Sequence, residues 1–300
     1  MKPLSDQTYQ DLKDHYARGR VLLGSRNIMQ FDMMVSMPRG AMQQRLKDIH
    51  ALSLKIHDHY TSGFTDKGLR FCEEEIEAHP EIWSDWDRAN VIEMRRLYNN
   101  YAALPSDLFG EMIGFQSLGR RKQAACRRNN GGDGLRIARD YLSDVVETMQ
   151  RVAARKQEKF ETSTPYEALL AGHIGDISRE ELETIHDDIR SAGQHLIEKR
   201  SPHWGQEVDE PQNPLSKRDV MWLGTHLLQQ FGFDFEYGRL IVSQSGPYFA
   251  GTNKDARVLV RCPDPPKFFT TISDILYQGA RGLYLQNIPD QWADQPVGSI

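Results

Sequence analysis

Cysteine is scarce and scattered: Cys72, Cys126 and Cys262 are the only three in 300 residues. An odd number at such wide separations builds neither a disulfide framework nor a C-x-x-C metal knuckle, and it suits a reducing cytoplasm. Long apolar runs are missing too. Nothing approaches the roughly 20 residues that span a bilayer, and the polar N-terminus MKPLSDQTYQDLKDHYARGR lacks the apolar stretch of a secretory signal. Positive charge is not in excess, since 37 Lys and Arg stand against 42 Asp and Glu, a net charge of -5. The arginines are interspersed with carboxylates, which removes the electrostatic case for nucleic-acid binding. Histidine ends early. The last is His226, so no imidazole is available downstream of it.

What is present is ordinary for a globular chain, with 26% charged and 39% hydrophobic residues over a length ample for a real core. Tyr9, Leu12, Tyr16 and Leu23 recur at helical spacing, predicting a helix from Ser5 to about Arg26. Phe31 to Gly40 interrupts it, with Pro38 and Gly40 marking a turn, and a second helix runs from Arg45 through Ile49 and Ile56 to His59. Met29, Met33, Met34 and Met37 read as packing at a helix end rather than a soft-metal site. Glu93 and Arg96 are spaced to pair along a solvated helix face. Asn129 to Gly134 lacks the Lys-Ser/Thr of a phosphate loop and reads as a connector to a helix from Leu135 to about Lys159. Ser178 with Glu181 forms a capping box for the next helix. His50, His57, His59, His186 and His195 offer no ligand pair at one-turn spacing, and all five are read as solvated. Ser201 to Pro214 is a proline-rich loop before a helix around Val220 to Gln230.

Residues 231–262 hold the sheet signal. Arg239–Ser243 and Ala256–Arg261 are β-branched or alternating, which predicts an antiparallel hairpin with an elaborated loop. Arg257 alternates with Val258 and Val260 and so leaves the opposite face. Residues 267–289 then form a last helix, fenced by Pro265, Pro266 and Pro289. Phe269, Ile272, Leu276, Ala280, Leu283 and Tyr284 mark an apolar face, and Phe268 and Tyr277 extend it over most of the circumference. Such a helix is normally covered on most sides.

Several stretches taken together resemble the carboxypeptidase Taq family of metallocarboxypeptidases, colinearly from about Leu12 to Ile300. The family pattern W-D-x-x-x-x-M-P-x-G-a-x-x-R is matched by Asp32, Met37, Pro38, Gly40 and Arg45, with Phe31 for the tryptophan. Ala89-Asn90, then Glu93-Met94-Arg95-Arg96 and Tyr98, match A-N-x-x-E-M-R-R-x-Y; Pro165-Tyr166-Glu167-Ala168-Leu169-Leu170 is similar to P-Y-D-A-L-L. Gly232-Phe233-Asp234-Phe235, Gly238-Arg239-Leu240, Ser243, Pro247, Gly251-Thr252, Asp255 and Arg257 agree with the strand region, although a histidine expected before the proline is Gly246 or Ser245. Gly282 to Pro289 follows the family's A-L-Y-E-Q-G-L-P, but the preceding H-E-x-x-H reads Tyr277-Gln278-Gly279-Ala280-Arg281. A catalytic zinc of this kind takes two imidazoles one helical turn apart, with a glutamate as general base. Arginine only donates and repels a cation, and glutamine takes no proton from water. The family's third ligand, a glutamate, lies well downstream, beyond Ile300.

The resemblance implies a mainly α, long-helix, zincin-like groove fold with one small antiparallel hairpin, its C-terminal half missing. Residues 1–300 are expected to form a single truncated domain: helical over 1–230, the hairpin region over 231–262, and the former zinc-motif helix over 267–289. Neither metal nor other cofactor is expected. The implied protein is a cytoplasmic, metal-free, non-peptidase relative, a subunit of a heteromeric enzyme acting non-hydrolytically on an amino-acid or peptide-like carboxylate. Asp274, Tyr277, Gln278 and Arg281 are the expected catalytic groups, and Arg257, Asp255 and Tyr248 the expected substrate-binding groups. The alternative is a non-catalytic pseudo-peptidase that binds or regulates a full-length relative or another partner protein. Either way a second polypeptide, or a second copy, is expected to complete the groove and to cover residues near Asp274–Ile300.

Overall fold

The computed structural model describes residues 4–115, 119, 132–174, 177–199, 216–243, 248–262 and 268–298. The first helix, α1 (Leu4–Val35), is longer than the periodicity predicts. Nothing between Arg26 and Val35 breaks it: Asn27 to Val35 contains neither proline nor glycine. It ends where the Asp32 carbonyl accepts from the amides of Ser36 and Met37 at 3.0 and 2.9 Å, one residue short of Pro38. Arg45 closes the corner, with an ion pair to Asp32 at 2.8 Å and a hydrogen bond donated to the Met29 carbonyl at 2.9 Å.

Helices α2 (Met42–Tyr60), α3 (Gly63–Ala78) and α4 (Asp85–Ala102) pack with α1 around one core. Tyr9, Leu12 and Tyr16 of α1 meet Ile56, Tyr60, Leu69 and Met94 there, so the face read from the spacing is the buried one. Two of the histidines read as solvated belong to this assembly. His57 is buried and its Nε2 lies 2.8 Å from the Leu104 carbonyl; His59 stacks on His15 with ring centroids 3.8 Å apart. Their partners lie on other parts of the chain, Leu104 between α4 and the next helix and His15 on α1, out of reach of any local spacing rule. His186 and His195 are exposed as expected, while His50 is partly covered.

A helical stretch, α5, covers 106–115. It is followed by α6 (Gly132–Phe160), α7 (Pro165–Ile174), α8 (Arg179–Glu198) and α9 (Lys217–Gln230). The predicted capping box opens α8: Ser178 Oγ accepts from the Glu181 amide, and the Glu181 carboxylate from the Ser178 amide. Of the connector read over Asn129–Gly134, residues 132–134 already belong to α6, and 129–131 lie outside the described residues. The loop read over Ser201–Pro214 also lies outside them, as do Cys126, Ser245 and Gly246.

The sheet corrects the expected hairpin. Strands β1 (Gly238–Ser243), β2 (Tyr248–Thr252) and β3 (Asp255–Arg261) lie in the order β1-β3-β2. β1 and β3 are parallel, in the register Gly238↔Ala256 to Ser243↔Arg261, and β2 is the antiparallel partner of β3. The residues read as an elaborated loop contain β2, so the chain reverses twice between β1 and β3 and regains its direction. Alternation then sorts the side chains. Leu240, Val242, Ala256, Val258 and Val260 pack toward α9 and the last helix, α10 (Phe268–Gln286), with Val220, Leu228 and Ile275. Ala250 and Leu259 face α1 at Phe31 and Met34. The sheet is thus filled on both faces.

Candidate functional site

Glycines decide how α10 sits. A Cβ on Gly279 would stand 2.2 Å from Leu228 Cδ2, and one on Gly282 would stand 2.6 Å from the Phe233 ring and 3.1 Å from Val258. With no side chain there, the backbone of α10 approaches α9 and β3 closely. Thr271, Ile275, Gln278, Gly279, Gly282 and Leu285 are therefore the buried positions. The apolar face read from the sequence is largely the outer one: Phe269, Leu276, Tyr277 and Tyr284 are 50%, 41%, 66% and 50% exposed. Large side chains carry the periodicity signal, but the smallest ones set the contact. Gln286 clasps the C-terminal turn, accepting from the Asp234 amide at 3.0 Å and donating to the Asp234 carbonyl at 2.7 Å.

The expected catalytic groups are all on α10 but in unlike surroundings. Tyr277 projects outward. Gln278 is buried, and among the described residues Gln278 Oε1, Thr271 Oγ1 and Asp274 Oδ2 have no hydrogen-bond partner. Burial raises the Asp274 pKa against the pull of Arg261, whose Nε lies 3.9 Å from Oδ2. Arg281 lies over the Phe249 ring, 5.2 Å from its centroid.

The expected substrate-binding groups sit across the sheet. Arg257 donates from Nε and Nη2 to the two carboxylate oxygens of Asp255 at 2.8 and 2.9 Å, and stacks 5.9 Å over Phe31. Tyr248 donates to Gln30 Oε1 at 3.1 Å. The two sets are separated by the sheet itself, so they do not form one constellation. Period-two alternation determines this, because Arg257 and Leu259 share the α1 face while Val258 and Val260 share the α10 face. Arg257 and Asp255 are 35% and 48% exposed, an arrangement worth little in water. Arg257→Ala is expected to cost about 1 kcal/mol or less by urea denaturation; a loss above about 3 kcal/mol would mark a buried network instead.

Spacing did not reveal the polar hub at Asn90. Fully buried, it donates to Tyr9 Oη at 3.2 Å and Gln295 Oε1 at 3.3 Å, and accepts from the Val297 amide at 3.3 Å. It joins α4 to α1 and to the segment after α10, a structural use for the A-N pair.

Long helices around a small three-stranded sheet, with one helix laid on the sheet, define the helical metallocarboxypeptidase class of fold. The family model described as carboxypeptidase Taq (M32) metallopeptidase matches residues 11–300, and the chain belongs to that family. Metallocarboxypeptidase 1 of Trypanosoma cruzi superposes with a TM-score of 0.76 at 20% identity, covering 97% of this chain and 57% of that one. The M32 carboxypeptidase of Deinococcus radiodurans R1 gives 0.78 at 17%, covering 98% and 56%. The carboxypeptidase of Pyrococcus furiosus gives 0.77 at 18%, covering 100% and 58%. This chain therefore spans a little over half the length of the solved structures it resembles. No curated protein sequence matches it. Among the described residues, no helix is long and apolar enough to cross a membrane.

At the three places that the resemblance assigns to the zinc motif stand an exposed phenol, Tyr277, a buried amide, Gln278, and a guanidinium seated on Phe249, Arg281, and these groups do not suit a zinc. The guanidinium is a permanent cation with no lone pair to offer.

Proposed function

We propose that this chain is a carboxypeptidase Taq family member that does not hydrolyse peptides through a zinc on α10, and that the outer face of α10 docks a second polypeptide. The observation that carries this reading is the run of exposed apolar side chains along that face: Phe269, Leu276, Tyr277 and Tyr284. A depression of about 390 Å³ continues it, lined by Trp86, Leu283, Tyr284 and Ile288. Contiguous apolar surface of this kind belongs to interaction sites, and aromatic side chains are favoured anchors. The pseudo-peptidase reading gains on the enzyme reading because the two expected residue sets lie on opposite sheet faces. A heteromeric, non-hydrolytic enzyme is the second reading. It is favoured by Asp274, whose raised pKa beside Arg261 is a property of acid–base groups. A reducing compartment suits both, since Cys72 is a buried free thiol that burial pushes up to about 12.

Sedimentation of the protein, alone and co-expressed with the product of its genomic neighbour, tests the docking. A stable dimer or heteromer is expected, burying above about 2,000 Å² and dispersed by the double change Tyr277→Glu and Tyr284→Glu. A monomer in both preparations would sink the proposal. Elemental analysis is expected to find no stoichiometric zinc; one zinc per chain, lost on mutating Tyr277 or Gln278, would overturn the non-peptidase half of the reading.

A further inference from the structure

Away from α10, the helical part of the molecule forms a cleft of about 490 Å³ open to solvent and bordered by α1, α4, α5, α6 and α7, within the size range of small-molecule sites. Much of its lining is apolar: Leu104, Phe109, Ile113 and Val152 come from one buried cluster. Its charged lining is one-sided. Arg26, Arg96 and Lys156 stand against Glu93, three cations to one carboxylate, in a chain whose overall charge is -5. Arg96 is taken by Glu93, its Nε donating to Oε2 at 2.8 Å. The other two cations have no carboxylate partner among the described residues.

Lys156 is held in place rather than left free. Its Nζ donates to Asn100 Oδ1 at 2.9 Å and lies 5.9 Å over the Phe160 ring. Asn100 is itself fixed by donating to the Arg96 carbonyl at 3.1 Å. An ammonium has three donors, so two remain for something else. Gly172 makes the room: a Cβ there would stand 2.7 Å from Asn100 Oδ1 and 2.8 Å from Lys156 Nζ. Arg26 adds an Nε that is buried and, among the described residues, without a hydrogen-bond partner. Burial lowers the Lys156 pKa, the direction expected of a cation waiting for its counter-charge. Positioned cations lacking a carboxylate, set beside an apolar wall, make a receptor for an anion with an apolar body.

We propose that this cavity binds an amphiphilic monocarboxylate, with its carboxylate on Lys156 and Arg26 and its aliphatic or aromatic body against Leu104, Phe109 and Ile113. One ammonium with two free donors suits a single carboxylate, and the apolar lining disfavours a polyanion. None of these residues belongs to α10 or to the sheet, so the site stands independently of the docking face.

Calorimetric titration of the full chain with sodium octanoate, and with 1-octanol as the neutral counterpart, tests it. Octanoate is expected to bind at least about tenfold more tightly than octanol, a difference the charged groups supply. Lys156→Met is expected to weaken octanoate by about tenfold or more while leaving octanol unchanged. Gly172→Ala, which displaces the ammonium without removing it, provides a second variant with the same expected direction. The proposal is overturned by octanoate failing to bind at millimolar concentration, by octanol binding equally well, or by both variants keeping wild-type affinity with an unaltered circular dichroism spectrum. Oligomeric state does not enter any of these readouts, so failure here leaves the docking reading untouched.

Discussion

Gly251→Ala is expected to lower the stability of the protein by about 3–4 kcal/mol. Gly251 has φ +122°, a conformation that L side chains rarely adopt. Strain is the smaller part of the problem. A Cβ there would fall 1.6 Å from the Asp255 carbonyl oxygen and 2.8 Å from its carbon. Both are backbone atoms of the partner strand, in the pair next to the tight turn at Asn253–Lys254. No rotamer change relieves a clash with backbone, so β2 must leave β3 or both must distort. Because β3 also carries the contacts of β1 and α10, the cost spreads through the sheet. Gly232 is the control. Its φ is +87°, but nothing lies within 4 Å of its Cβ position, so Gly232→Ala is expected to cost only about 1 kcal/mol. Urea denaturation of the two variants side by side is the measurement; equal costs would refute the steric account.

Acid should weaken the protein through His15, by about 2 kcal/mol at pH 5 and about 3 kcal/mol near pH 4. His15 is buried between α1, α2 and α3, and its pKa is lowered to about 4, chiefly by burial and then by His59. The bonds fix the tautomers. His15 Nε2–H donates to the His59 carbonyl at 3.1 Å, and His59 Nε2–H donates to the His15 carbonyl at 2.9 Å. Thr65 Oγ1 lies 3.0 Å from His15 Nε2, Phe64 packs on the ring, and Arg18 adds a nearby positive charge. Protonation therefore places an imidazolium in an apolar, already positive setting. The folded pKa lies below the unfolded value of about 6.5, so the unfolded chain binds the extra proton first. Stability is complete above pH 6.5, falls as pH drops through the interval, and stops falling from this cause below about 4. Carboxylates also begin to titrate there, so the readout is the difference between wild type and His15→Gln, measured by urea denaturation at pH 7 and pH 5. A difference that stays constant between the two pH values would refute the assignment.

The local features of this chain were written in its local sequence. The inward face of α1, the cap at Ser178 and the helical character of 268–286 follow from spacings of three, four and seven residues, which the helix geometry converts directly into faces. That Arg281 offers no lone pair to a metal is equally legible, because a guanidinium cannot become a zinc ligand in any fold. Tertiary structure decided the rest. Strand direction depended on which edge of β3 each neighbour took, information spread over residues 238–261 rather than held in any one run. The rotation of α10 was set by Gly279 and Gly282 meeting Leu228 and Phe233, residues 49 or more positions earlier that carry no mark of the contact. The separation of Arg257 from Arg281, the His15–His59 pair and the unmatched Lys156 arise in the same way. Each depends on which distant side chain arrives opposite, and such encounters are determined by close packing of the whole molecule and not by the order of neighbours along the chain.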